Sequence, residues 1–162
     1  VTEAFLEEGA VLEMDTSQIG GVDHTVRTTK GTLGKDAKLV IHERILTEKE
    51  QVAKTQFEVN LNGENCGANL ISRSVAKDHS HQEYQSRIVG NTRCNGHSEC
   101  DAILVGEGTV NAAPELSANN PDAALIHEAA IGKIAGEQIL KLRTLGLTEK
   151  EAEEKIVAGF MK

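Results

Sequence analysis

Apolar and polar residues alternate in short runs over most of the chain and then change period. Val22-Asp23-His24-Thr25-Val26-Arg27-Thr28-Thr29 alternates and is rich in β-branched residues. Lys38-Leu39-Val40-Ile41-His42-Glu43-Arg44-Ile45-Leu46 is the next such run, and Gln56-Phe57-Glu58-Val59-Asn60-Leu61 alternates cleanly up to the turn dipeptide Asn62-Gly63. Ala10–Met14, Cys66–Ala76, Tyr84–Gly90, Glu99–Val105, Thr109–Ala112 and Ala123–His127 extend the series. Period two over a few residues, bounded by Gly, Asn and Asp, predicts half-buried strands. Many short strands at roughly regular spacing predict an all-β sandwich, barrel or solenoid. No literal repeat is visible to choose among them.

After Ala129 the period becomes helical. Ile131, Ile134, Ala135, Gln138, Ile139 and Leu142 fall on one face, and Gly146 sits where a helix end favours a left-handed residue. Thr148-Glu149-Lys150-Glu151 is a capping-box sequence, and Ala152, Ile156, Val157 and Phe160 follow as an apolar stripe. A short link makes the two helices a hairpin. The division is therefore a β domain over 1–128 and a helical part over 129–162, with His127-Glu128 at the strand-to-helix junction. That helix pair caps the β domain and keeps an outer face free.

Composition narrows the class. The chain has 162 residues, 15 glycines, one Tyr, three Phe and no Trp, so its apolar mass is aliphatic. A net charge of −8 with no basic run lacks the electrostatic footprint of a nucleic-acid binder. No apolar stretch is long enough for a membrane helix, and the first residues do not read as a signal peptide. Three cysteines is an odd count, which points to a reduced, cytoplasmic setting with thiols buried or chemically employed. Gly-x-Ser-x-Gly and Walker A sequences are absent, so any ATP hydrolysis belongs to a partner, and nothing requires the chain to be an enzyme.

Three groupings could bind metal. Cys100, His127 and Glu128 offer thiolate, imidazole and carboxylate, the donors that hold iron or zinc. Each has an ordinary structural use as well: a small buried hydrophobe, a hydrogen-bonded ring and a helix-dipole partner. Cys94-x-x-His97-x-x-Cys100 has the close spacing of zinc sites, with Cys66, His79 or His81 as a fourth ligand. A turn at Asn95-Gly96 would bring Cys94 and His97 together. His79-Ser80-His81 puts two imidazoles on one face of an extended segment, though a polar loop between Lys77 and Glu83 is the favoured reading.

Taken in order, Cys100-Asp101-x-x-Leu104-x-Gly106, Pro114, Asn119-Asn120, Ala124-x-x-His127-Glu128-Ala129, Gly132-x-Ile134-x-x-Glu137-Gln138, Arg143-x-x-Gly146 and Gly159-Phe160 resemble the C-terminal half of the SufB/SufD family. These are the scaffold subunits of the SUF iron–sulfur cluster assembly machine. The resemblance implies a mainly β chain: a right-handed parallel β-helix, shortened on its N-terminal side, followed by a C-terminal helical hairpin. It implies a transient iron–sulfur cluster held by Cys100, His127 and Glu128 at a subunit interface. Cys100 stands at the SufB cysteine that SufD lacks, and His127 at a histidine common to both. The implied partners are a SufC-type ATPase on the C-terminal helices, a second copy or a SufB/SufD paralogue, and a sulfur donor protein. A SufD-like, purely structural subunit and a small zinc protein using Cys94, His97 and Cys100 are the competing readings.

Overall fold

The computed structural model describes residues 1–162. Ten strands precede two helices. In chain order they are β1 (Thr2–Leu6), β2 (Val11–Ile19), β3 (His24–Leu33), β4 (Lys38–Thr47) and β5 (Val52–Leu61). Then come β6 (Gly67–Ala76), β7 (His81–Gly90), β8 (Cys94–Leu104), β9 (Thr109–Ala118) and β10 (Ala123–Lys133). The helices are α1 (Gly136–Thr144) and α2 (Glu149–Phe160).

Successive strands do not pair with one another. The odd strands form one five-stranded sheet, β1-β3-β5-β7-β9, and the even strands a second, β10-β8-β6-β4-β2. Every pairing is parallel. The chain is thus a parallel β-solenoid of about five turns, each contributing one strand to each sheet. Asn62-Gly63 therefore makes a corner of the coil and not a hairpin turn. A Cβ at Gly63 would run into the backbone of Gly34 and Lys35 one turn earlier, so the corner stacks only because the residue is glycine.

Corner geometry recurs turn by turn. Asp36 and Asn65 occupy left-handed backbone positions at one corner, with Lys49 and Asp78 at the other. Asp and Asn tolerate that conformation because their side chains can bond the local backbone.

Inside, Leu33, Leu39, Ile41, Leu61, Leu70 and Ile88 are fully buried and Phe57 tilts against Tyr84. The middle strands β4 to β8 alternate buried with half-buried residues, while β2, β9 and β10 are more open. End coils have a neighbour on one side only, so Phe5, Val11, Ile19 and Val26 at one end and Ile126 and Ile131 at the other stay exposed. Side chains also stack in register. Asn119 donates to Asn91 and Asn91 to Asn62, at 2.7 and 2.8 Å, and Gln56 donates to Gln85 at 2.8 Å.

The helical part begins later than its period suggested. β10 continues in register with β8 to Lys133, so residues 129–133 extend the sheet and His127-Glu128 lie in mid-strand. The two helices form and pair with each other as read, but they pack chiefly on one another and do not cap the coil. Gly146 takes φ 95° between the helices, and Thr148 closes a capping box with Glu151. Ala152 and Val157 are buried, whereas α1 buries no residue and presents Leu140 at 60% exposure, with Leu145 just after it at 72%.

Candidate functional site

The alternation of strands sorts the candidate ligands by face. Cys94, Ser98 and Cys100 point from β8 into the solenoid, while His97 and Glu99 point out. On β10, Ala123, Leu125 and His127 share the inner side, with Ala123 and Leu125 packed on the core, and Glu128 points out.

Cys100 is 1% exposed. Its strand neighbours in register are Ser72 on β6 and Ala129 on β10. The space beside it is about 10 Å³, bordered by Ile45, Ala53 and Val110 as well as by Thr55, Ser72, Ser74, Gln82 and Tyr84. Cys100 thus sits where the apolar core meets a set of hydrogen-bonded polar side chains. Tyr84 Oη and Ser86 Oγ both bond Ser98 Oγ, at 2.8 and 2.9 Å, and Gln82 donates to Thr47 Oγ1 at 2.9 Å and to the Val75 carbonyl at 3.0 Å. Burial, with smaller repulsion from Asp101 and Glu43, pushes the Cys100 thiol up to about 12. Burial likewise pushes the Tyr84 phenol to about 12, against opposing hydrogen bonds from Ser98 and Ser86. Cys100 is therefore a neutral thiol at neutral pH.

His127 lies opposite Ser98, two residues short of the Cys100 level on the adjacent strand. Strand geometry places the two Cα atoms roughly 8 Å apart on the same face. The His127 Nδ1 atom is buried and has no hydrogen-bond partner. Such an orphaned nitrogen is uncommon, and open for a proton or a ligand. Within one chain, then, Cys100 and His127 share the interior, whereas Glu128 stands on the opposite side of the sheet.

The zinc grouping does not assemble. Cys94 and Cys100 face inward, His97 faces outward, and Asn95-Gly96 is strand and not turn. Six residues of extended chain also separate the two thiols by roughly 20 Å. The Cys66 and Cys94 thiols are buried and pushed upward by that burial. His79 meets Glu107 at 2.7 Å, and His81 bonds Thr109 at 2.8 Å, so both belong to surface ladders.

Two groupings were not legible in the one-dimensional pattern. Glu43 is 1% exposed yet points inward, paired at 3.0 Å with Arg27 Nη1, and Ser72 Oγ donates to it at 3.4 Å. Burial is the dominant influence and holds the Glu43 carboxyl above its usual range, with Arg27 opposing. Glu43, Ser72 and Cys100 occupy one register column through β4, β6 and β8. The second grouping is His97, Glu99 and Glu128 on the outer face of β8 and β10. The offset of 28 or 29 residues that joins the Asn62, Asn91 and Asn119 ladder would have located both.

The family described as SUF system FeS cluster assembly, SufBD core domain, matches residues 1–160. An iron-sulfur cluster assembly SufBD family protein of Archaeoglobus fulgidus is 38% identical over 130 residues, covering 79% of this chain and 35% of its own length. One of Methanothermobacter thermautotrophicus is 33% identical over 130 residues, covering 79% of this chain and 32% of its own. One of Pyrococcus horikoshii is 30% identical over 164 residues, covering all of this chain and 37% of its own. The chain thus spans about a third of the length of these curated relatives.

Proposed function

The chain belongs to the SufBD core family of the SUF iron–sulfur cluster assembly system, and from that premise we propose that it is a scaffold on which a nascent cluster forms. Cys100 accepts sulfur or ligates the cluster, and His127 supplies a second donor. The observation that carries this reading is their shared interior face on adjacent strands at the open C-terminal end of the solenoid, with an imidazole nitrogen left unpartnered. The cluster is cargo, assembled and passed on, and mixed thiolate and imidazole ligation suits transient holding.

In this structure the thiol is neutral and enclosed, so cargo chemistry requires an opening step. Movement of the last coil would expose Cys100, because only β10 covers that side of β8. A SufC-type ATPase docked on the helical hairpin is the proposed source of that movement, and the exposed Leu140 and Leu145 of that hairpin support docking there. The free edge of β10 suits a second copy or a paralogue, through which Glu128 could meet a partner's ligands. A sulfur donor protein completes the proposed set.

The burial of Cys100 favours a second reading, a structural subunit that only completes an interface. Anaerobic reconstitution with iron and sulfide, in the presence of a SufC-type ATPase, separates the two. Charge-transfer absorption in the wild type that is lost in both Cys100→Ala and His127→Ala supports the scaffold. Equal absorption in all three proteins removes the pair from the mechanism and leaves the structural role.

A further inference from the structure

The outer face of β8 and β10 carries a second constellation, unrelated to the buried thiol. His97, Glu99 and Glu128 each bring a ligand atom, and these atoms lie within 4.8 Å of one another. Glu99 and Glu128 are directly in register, so two carboxylates stack on neighbouring strands. Like charges in that position destabilise a sheet.

Elsewhere on the surface, carboxylates stack against cations in register. Lys30 faces Glu58, Lys54 faces Glu83, and Arg87 bridges Glu58 and Glu115. No lysine or arginine nitrogen comes within 4.0 Å of Glu99 or Glu128; the His97 ring is the sole partner, with Nε2 at 3.9 Å from Glu128 Oε2.

The histidine is oriented from behind. Its Nδ1 lies 2.8 Å from Asn69 Oδ1, which accepts a hydrogen bond from Nδ1–H. In the neutral ring the lone pair then resides on Nε2 and faces the Glu128 oxygen. At 3.9 Å these two acceptors leave room for a proton or a cation between them. An imidazole held by an amide carbonyl through its far nitrogen is the arrangement that prepares a metal-ligating histidine.

We propose that His97, Glu99 and Glu128 form a surface site for one divalent first-row transition-metal ion. One imidazole and two carboxylates suit such ions better than magnesium, which favours an all-oxygen shell. Ligand atoms around such an ion sit about 3 Å apart, so the carboxylates close in by side-chain rotation, which the exposure of Glu128 permits. Three protein ligands leave positions for water, the pattern of an exchangeable site and not of a structural one. The site requires no cluster at Cys100.

Isothermal titration of the full chain with Zn²⁺ alone, under reducing conditions, tests this. The expected result is one ion per chain, with affinity lowered at least about tenfold in His97→Ala, Glu99→Gln and Glu128→Gln. The Cys100→Ala/His127→Ala double variant keeps wild-type affinity, and Mg²⁺ gives no comparable heat. Asn69→Ala, which touches no ion, weakens binding by a smaller factor. Circular dichroism shows each variant folded. No Zn²⁺ binding by the wild type overturns the proposal. So does unchanged affinity in His97→Ala and Glu99→Gln, or loss of binding in the Cys100/His127 variant.

Discussion

Cys100 is the residue on which the scaffold reading turns, and its enclosure makes a quantitative prediction. The thiol moves from an ordinary 9.0 to about 12 in the folded chain. At pH 8 its thiolate fraction is therefore roughly a thousandfold smaller than that of an unfolded cysteine, since each tenfold corresponds to about 1.4 kcal/mol. Alkylation requires thiolate, and burial slows reagent access further. Native-state iodoacetamide labelling, read at Cys100 by peptide mass spectrometry, should run at least a thousandfold slower than in the denatured chain. The same difference appears in stability. A raised folded pKa means that the native thiol binds its proton more tightly, so this contribution is complete below pH 9 and is lost as pH rises toward 12. The full span is about 4 kcal/mol. Cys100→Ala removes that alkaline dependence, so its stability deficit at pH 7 should shrink at pH 11 in urea titrations. Labelling of native Cys100 within tenfold of the denatured rate, without any partner, would refute the argument that it is closed. Acceleration only with a SufC-type ATPase and ATP would identify the opening step.

Arg27→Ala leaves the buried Glu43 carboxyl unpaired. The loss should be about 1–3 kcal/mol at pH 8, less than for a fully buried pair because Arg27 is partly exposed. Because burial raises the Glu43 pKa, its protonated form is favoured in the fold, and Arg27→Ala should regain stability as pH falls toward 5; melts at the two pH values check this. Gly63→Ala forces a Cβ into the backbone of the preceding corner and should cost at least about 2 kcal/mol in chemical denaturation. Asn91→Ala breaks both hydrogen bonds of the exposed ladder and should cost about 1 kcal/mol, with Asn62→Ala smaller because only one bond is lost. A Thr148→Ala change removes the cap of α2 and should lower the stability of the hairpin by about 1 kcal/mol, seen as reduced helical signal on mild heating.

Local rules already determined much of this molecule. Alternation of residues such as Gln56–Leu61 marks a strand wherever the segment ends up, because successive Cβ atoms must point to opposite sides. The capping box at Thr148 and the glycine at 146 mark a helical hairpin through bonds made within a few residues. The ordered string from Cys100 to Phe160 was enough to indicate the family. The decisions left to tertiary structure concern partners that lie one coil away. Register spacing drifts, from 27 between Thr2 and Thr29 to 29 between Val52 and His81, and that drift hides the repeat from the eye. Only the stacked coil shows that β10 runs on past Ala129, since pairing with β8 satisfies its backbone while the apolar period alone allows a helix. Only the stack turns His127 inward and Glu128 outward, encloses Cys100, and brings Glu99 and His97 to Glu128. A strand specifies which residues share a side; the coil above and below decides which side is the interior and what each residue meets there.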